Sequence, residues 1–253
     1  MNAADRRQEL LNYLGKHQIG YTSALCEELN VSAMTIHRDF AALAKQGLVT
    51  IIRGGAAINH GTAVLHSLRL RQTRLPLEKR RIATHCAALV SEGSTVFLDC
   101  GSTVERLAEE LRTKKNLTIL TNSLDAAQIL ADAKDNRLIM VPGVFSAPMR
   151  GFFGQMTADF MENFLVDILF LGANGVDAGR GLTSPDYTDA GTKKALIRHA
   201  RTVVIAADHT KLGQSYFERI APLAALDCIV TDNGADPEIL AELRAAGARI
   251  EVV

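Results

Sequence analysis

The run Asp99-Cys100-Gly101-Ser102-Thr103 sets a glycine and two hydroxyls between an apolar stretch and a helical one. Glycine lets a ligand approach the backbone, and the first amides of a helix lack intrahelical acceptors, so such a turn can hold an anion. An ordinary strand-to-helix turn capped by Ser102 would be spelled the same way. Further on, Thr121-Asn122-Ser123, Pro142-Gly143, Gly172-Ala173-Asn174-Gly175 and Ala207-Asp208-His209-Thr210-Lys211 each follow an apolar run. Together they offer the hydroxyls, amide and cation that a phosphorylated sugar needs, with Lys211 as a point charge for the phosphate. Lys193 is a second cation for that role, or else a surface lysine beside Lys194.

Another set of polar side chains sits near the N-terminus. Ile36, Phe40 and Leu43 fall at i, i+4 and i+7, one face of a helix that Ser32 can cap. Ala33, Thr35, His37 and Arg38 then point outward, with Met34 at the border. Arg38 suits guanine or phosphate, Thr35 and Ser32 suit phosphate, and His37 suits either. The same pattern fits a plain helical subdomain in which Arg38 pairs with Asp39 or Glu28.

The elements that must position these groups come in two styles. Residues 1–58 read as three short helices and a hairpin. Leu10, Leu11 and Leu14 mark the first helix, Ser23–Leu29 the second, and Gly47 ends the third. Leu48–Ile52 then runs into a Gly54-Gly55 turn. That order describes a winged helix-turn-helix, whose second motif helix enters the major groove and whose wing carries Arg53. Residues 59–76 read as a linker with some helical content. From 77 to 253, seven apolar strands alternate with helices, beginning at Thr95, Leu117, Arg137, Asp167, Thr202, Asp227 and Arg249. This is the pattern of an α/β, Rossmann-like parallel sheet, in which ligands bind beyond the carboxyl ends of the strands.

Composition narrows the function. With 28 basic and 28 acidic residues, the formal net charge is zero, which on its face disfavours phosphate contacts. The total hides an asymmetry: residues 1–81 hold 12 basic and 6 acidic side chains, and the remainder 16 and 22. Residues 1–10 have no signal-peptide core, and the apolar stretch from Phe164 to Val176 is too short to span a bilayer, so a cytoplasmic protein with no membrane partner is expected. Cys26, Cys86, Cys100 and Cys228 form no CxxC pair and no cluster with zinc spacing, which points to reduced thiols and no metal. No dinucleotide, P-loop, metalloprotease or hydrolase motif appears, so no cofactor is expected.

Ser32-Ala33-Met34-Thr35-Ile36-His37-Arg38-Asp39-Phe40, followed by Arg53-Gly54-Gly55-Ala56 and by Glu78-Lys79-Arg80-Arg81-Ile82-Ala83, resembles the DeoR family of bacterial repressors across essentially the whole chain. His37 stands where that family usually has an arginine, which removes a permanent charge. Val144 follows Gly143 where a second glycine is usual. Around Asp186-Tyr187 and Thr192-Lys193-Lys194-Ala195 the chain is similar to the glycerol-3-phosphate regulon subgroup, which by itself assigns no effector. The resemblance implies operator binding through Ser32, Thr35, His37, Arg38 and Arg53. It further implies an effector pocket that a sugar or polyol phosphate enters, lined by Asp99, Gly101, Ser102, Thr103, Asn122, Ser123, Gly143, Asn174, Gly175, Asp189, Lys193 and Lys211. Asp189 replaces the glutamate of the family's E-x-x-x-K stretch.

The sensor half is also similar to ribose-5-phosphate and glucosamine-6-phosphate isomerases, so an isomerase with an accessory N-terminal module is the competing expectation. Those enzymes carry an aspartate where Asn174 stands, and an amide cannot take up the proton that the reaction moves. Asp186, Asp189 and His209 remain as alternative bases, but the loop reads as a binding site with the acid removed, and the expected protein is a repressor without catalytic residues. Paired half-sites in operator DNA imply a homodimer or homotetramer.

Overall fold

The computed structural model describes residues 3–17, 19–45, 48–58 and 68–253. The expected helix stop at Gly47 and half of the expected linker, residues 59–67, lie outside the described residues. The chain divides into two compact units, Met1–Arg74 and Leu75–Val253.

In the first unit α1 (Ala3–His17), α2 (Thr22–Leu29) and α3 (Ala33–Lys45) are followed by β2 (Val49–Ile52) and β3 (Gly55–Ile58). A short strand that periodicity missed, β1 (Ile19–Tyr21), precedes α2 and pairs with β3, so the wing is a three-stranded sheet in the order β1-β3-β2. The turn also differs from the one expected. Gly54, at φ +79, occupies it with Arg53, whereas Gly55 already belongs to β3. A Cβ at Gly55 would lie 2.1 Å from the Gly20 carbonyl oxygen, so glycine there lets β1 approach. Leu10, Leu14, Leu25, Ile36, Phe40 and Leu43 are buried in one core. The unit ends with α4 (Leu68–Thr73).

The second unit begins with α5 (Pro76–Ala88), started by a proline that needs no amide partner there. Its seven-stranded sheet is wholly parallel, in the order β15-β14-β12-β9-β4-β5-β6. The strands are β4 (Thr95–Leu98), β5 (Thr118–Thr121), β6 (Arg137–Met140), β9 (Val166–Gly172), β12 (Ala200–Ala206), β14 (Cys228–Thr231) and β15 (Ile250–Val252). Alternation along β9 explains the apolar run Ile168–Leu171. Ile168 and Phe170 enter one core while Leu169 and Leu171 enter the other.

The helices α6 (Ser102–Leu111), α7 (Leu124–Leu130), α8 (Gln155–Met161), α9 (Tyr187–Arg198) and α10 (Pro237–Ala245) flank the sheet strands. Two additions escaped sequence reasoning: the hairpin β7 (Val144–Ser146) and β8 (Gly151–Phe153), and a small antiparallel sheet of β10 (Gly175–Asp177), β11 (Gly181–Ser184) and β13 (Glu218–Ala221). Among the described residues no helix is long and apolar enough to cross a membrane.

The chain enters this sheet at β4, builds outward through β5 and β6, then returns to β4's other side with β9. The strand order therefore reverses between β4 and β9, the kind of place where parallel sheets bind ligands beyond the carboxyl ends of their strands. Asp99 and Gly172 stand at the carboxyl ends of β4 and β9.

Candidate functional site

The polar group at this reversal is built around a lysine. Lys193 lies on α9 four residues after Asp189, so both side chains share one helix face. Lys193 Nζ sits 3.2 Å from Asp189 Oδ1 and 3.4 Å from Asp99 Oδ2, and donates to the Gly172 carbonyl at 3.0 Å. Its side chain is 3% exposed and neither carboxylate is exposed at all, which rules out the surface-lysine reading. Lys194 instead pairs with Glu218 at 2.5 Å. Ser184 donates from Oγ to Asp189 Oδ2 at 2.8 Å, and Asn174 Nδ2 reaches Ser184 Oγ at 3.4 Å.

One ammonium faces two buried carboxylates. Burial raises the Asp99 carboxyl above the ordinary carboxylate range; Lys193 opposes that shift and Asp189 adds to it. Asp99 Oδ2 accepts from the Gly172 amide at 3.3 Å, while Oδ1 is buried without a hydrogen-bond partner. Asn122 Oδ1 is likewise buried and unpartnered. Such atoms cost stability unless something meets them.

Helix α6 starts beside this group. Gly101 is its N-cap and makes no side-chain cap bond, so Ser102 is not the cap of the ordinary-turn reading. Ser102 and Thr103 occupy the first turn, each 7% exposed, next to amides that have no intrahelical acceptor. The backbone at Gly101 is extended, and a Cβ there would find only ordinary contact, 3.8 Å from the Gly172 Cα. Neither strain nor packing calls for glycine at that position.

The remaining expected residues divide. Asn122 donates from Nδ2 to the Phe152 carbonyl at 3.1 Å, tying its loop to the β7–β8 hairpin. Ser123 spends its hydroxyl capping α7 at the Ala126 amide. A Cβ on Gly143 would lie 2.5 Å from Thr157 Oγ1 and 2.7 Å from the Phe153 nitrogen, so the hairpin accounts for this glycine. Gly175 is similarly pressed, at 2.5 Å from the Gln214 carbonyl oxygen. Lys211 is half-buried in the single 3-10 turn His209–Lys211 that follows β12.

Two polar groups were not singled out from sequence. Ser184 anchors Asp189, and its place on an unforeseen strand hid it. Lys79, 3% exposed on α5, lies 4.0 Å from Asp208 Oδ2 at the carboxyl end of β12. It stands in the Glu78–Ala83 run, where one lysine among charged neighbours reads as surface. His209 also joins this end of the sheet, its Nδ1 being 2.7 Å from Asp232 Oδ2. Among the described residues no group of three or more His, Cys, Asp or Glu is arranged to hold a metal.

In the first unit, Ser32 Oγ accepts from the Thr35 amide at 3.3 Å, the expected cap. Ser32, His37, Arg38 and Arg53 are exposed and Thr35 is partly so. The alternative pairing of Arg38 with Asp39 is not what forms. Asp39 is fully buried, held by Arg6 Nε at 2.5 Å and Arg7 Nε at 2.8 Å.

Comparison with known proteins bears on both units. Residues 6–62 match the model of the DeoR-like helix-turn-helix domain, and residues 76–233 that of the DeoR C terminal sensor domain. The chain is 36% identical over 219 residues to the glycerol-3-phosphate regulon repressor of Escherichia coli, covering 85% of this chain and 86% of that protein. It is 33% identical over 236 residues to the lactose phosphotransferase system repressor of Staphylococcus epidermidis, covering 92% and 93%. Among solved structures, ribose 5-phosphate isomerase A of Methanocaldococcus jannaschii is 19% identical over 53% of this chain and 52% of that one, with a TM-score of 0.39. That last likeness carries no argument about activity.

Proposed function

The chain belongs to the DeoR family of transcriptional regulators, and from that premise we propose that it represses a sugar or polyol catabolic operon until a phosphorylated sugar or polyol releases it from operator DNA. Relatives similar over most of its length are named as repressors, and the chain acts as a regulator, not as an enzyme. Ser32, Thr35, His37, Arg38 and Arg53 meet the operator, with the first turns of α3 in the major groove.

The observation that carries the sensing role is the buried Lys193, with two carboxylates, at the reversal between β4 and β9. Two carboxylates on one ammonium leave that corner negative, which repels a phosphate but accepts hydrogen bonds from sugar hydroxyls. The phosphate then belongs at the first turn of α6, on Ser102, Thr103 and the free amides, with Lys211 as counter-charge. Asp99, Asp189 and Asn174 take the hydroxyl end. Asn122 supplies a buried acceptor with no internal partner.

Release follows only if the effector binds the DNA-free arrangement more tightly than the DNA-bound one. One recognition helix per chain implies that a homodimer or homotetramer reads paired half-sites. The test uses DNA selected by the full-length protein from a random pool, with gel retardation followed against a panel of sugar and polyol phosphates. Reversal by one phosphorylated compound, but not by its unphosphorylated parent, is expected. Retardation that no compound reverses, together with isomerase turnover abolished in Lys193→Ala, would overturn the proposal.

A further inference from the structure

Asp39 is the one acidic side chain of the recognition helix, and it is wholly buried between two consecutive arginines of α1. A carboxylate in a core is tolerated when charge-assisted hydrogen bonds replace its water, and two guanidinium bonds do so here. The arginines are not equivalent. Arg6 is 13% exposed and Arg7 30% exposed. Both reach Asp39 through Nε, so the terminal nitrogens of each guanidinium are not the atoms that make these pairs. A guanidinium has five N–H donors, and four of them are on those terminal nitrogens. One carboxylate also balances only one of the two cations, which leaves a net positive charge at the seam between α1 and α3.

Helical geometry says which side of α3 this charge flanks. Asp39 follows Thr35 by four residues and Ser32 by seven, so the three share one edge of the helix. Arg38 is turned away from Asp39 by about 100°, toward the outward face. Ser32 and Thr35 are the hydroxyls suited to phosphate, and Arg38 is the group suited to a base edge. The arginine pair therefore lies along the phosphate edge of the helix.

We propose that Arg7, held by Asp39, is a DNA backbone contact, its terminal guanidinium nitrogens meeting a phosphate on the Ser32–Thr35 edge, while the deeper Arg6 anchors the carboxylate. The contact rests on the DNA-binding reading of the first unit and adds a phosphate site outside the recognition helix and wing. It ties backbone contact to base reading through one residue step. Asp39 fixes where Arg7 stands, and Arg38, the residue just before it, reads the groove from the same rigid helix.

Phosphate contacts are independent of sequence, so no operator is needed to test this. Full-length protein is titrated by fluorescence anisotropy onto a mixed-sequence duplex at several salt concentrations. Each lost phosphate contact lowers the slope of log K against log salt by about 0.9. Arg7→Gln is expected to lower it by about that amount per bound protomer, whereas Arg7→Lys keeps it. A second variant, Arg7→Gln with Asp39→Asn, removes the charge without stranding the carboxylate, and its slope is expected to fall equally. If Arg7→Gln, or the double variant where the single one does not fold, keeps the wild-type slope, Arg7 only packs and the proposal is overturned. Wild-type protein with no salt-dependent binding at all would instead overturn the DNA-binding reading itself.

Discussion

Lys193 Nζ stands 3.4 Å from Asp99 Oδ2 with both side chains buried, although Asp99 ends the first strand of the sheet and Lys193 lies on a helix beyond its middle. Asp189 shares the same ammonium at 3.2 Å. Removing the cation strands two carboxylates in a low-dielectric pocket, a change that costs about 3–5 kcal/mol for a broken buried pair. Lys193→Met is therefore expected to be strongly destabilised near neutral pH and less so in acid, where the Asp99 carboxyl, raised by burial, takes up a proton. Urea unfolding at pH 5 and pH 8 measures this. A variant as stable as wild type at pH 8 would show that Lys193 is not the counter-charge.

Asp99 gives the opposite sign. Burial raises its carboxyl above the unfolded-state value. A carboxyl raised in this way favours the folded state at low pH, and that contribution is lost as pH rises through the folded value. Asp99→Asn cannot ionise, and it leaves Lys193 balanced by Asp189 alone. Its melting temperature should match wild type in acid and gain on it as pH rises toward neutral, measured by calorimetry across that range. A gap that narrows with rising pH would contradict the assignment.

Much of this was legible from spelling, and the exceptions have physical causes. Strands buried on both faces read as apolar runs, such as Ile168–Leu171 within Val166–Gly172, and lie nearly where that spelling puts them. The three-residue strands Ile19–Tyr21, Val144–Ser146 and Gly151–Phe153 are too short to show alternation. The polar loops after each sheet strand could be picked out because parallel topology gathers strand ends. Spacing could not say which loop residues touch. Ser123 proved to be a helix cap and Gly143 a packing glycine. Lys79 hid among exposed charges, since burial of one lysine depends on where Asp208 lies in space. The partners of Asp39 are not legible locally, because α1 packs on α3 through tertiary contact and spacing offers only its neighbour Arg38 as one alternative.

Two glycines that look alike in sequence should behave differently. Gly143→Ala drives a Cβ to within 2.5 Å of Thr157 Oγ1 and 2.7 Å of the Phe153 nitrogen, an overpacking that costs about 1–3 kcal/mol. Gly101→Ala meets only ordinary contacts, so it should melt close to wild type while narrowing the approach to the first amides of α6. Thermal shift with and without sugar phosphates separates the two. Gly143→Ala is expected to lower the melting temperature, and Gly101→Ala to lower the shift that the effector produces. A Gly101→Ala protein with an undiminished effector shift would remove the phosphate from that turn.

If effector and DNA favour different arrangements of one chain, each weakens the other by the same factor, by thermodynamic necessity. Coupling free energies of this kind are about 1–3 kcal/mol, or about 5–150-fold in affinity. DNA affinity measured by anisotropy should fall by that factor when effector is saturating. Effector affinity measured by calorimetry should fall by the same factor when the selected DNA is saturating. Ser102→Ala and Lys211→Ala should weaken effector binding while leaving DNA affinity in its absence unchanged, because both lie in the second unit and the proposed operator contacts lie in the first. A fall in DNA affinity that keeps growing with effector concentration, with no plateau, would mean that the effector competes directly for the DNA-binding surface. Equal factors with unchanged effector affinity in both variants would place the phosphate elsewhere in the second unit.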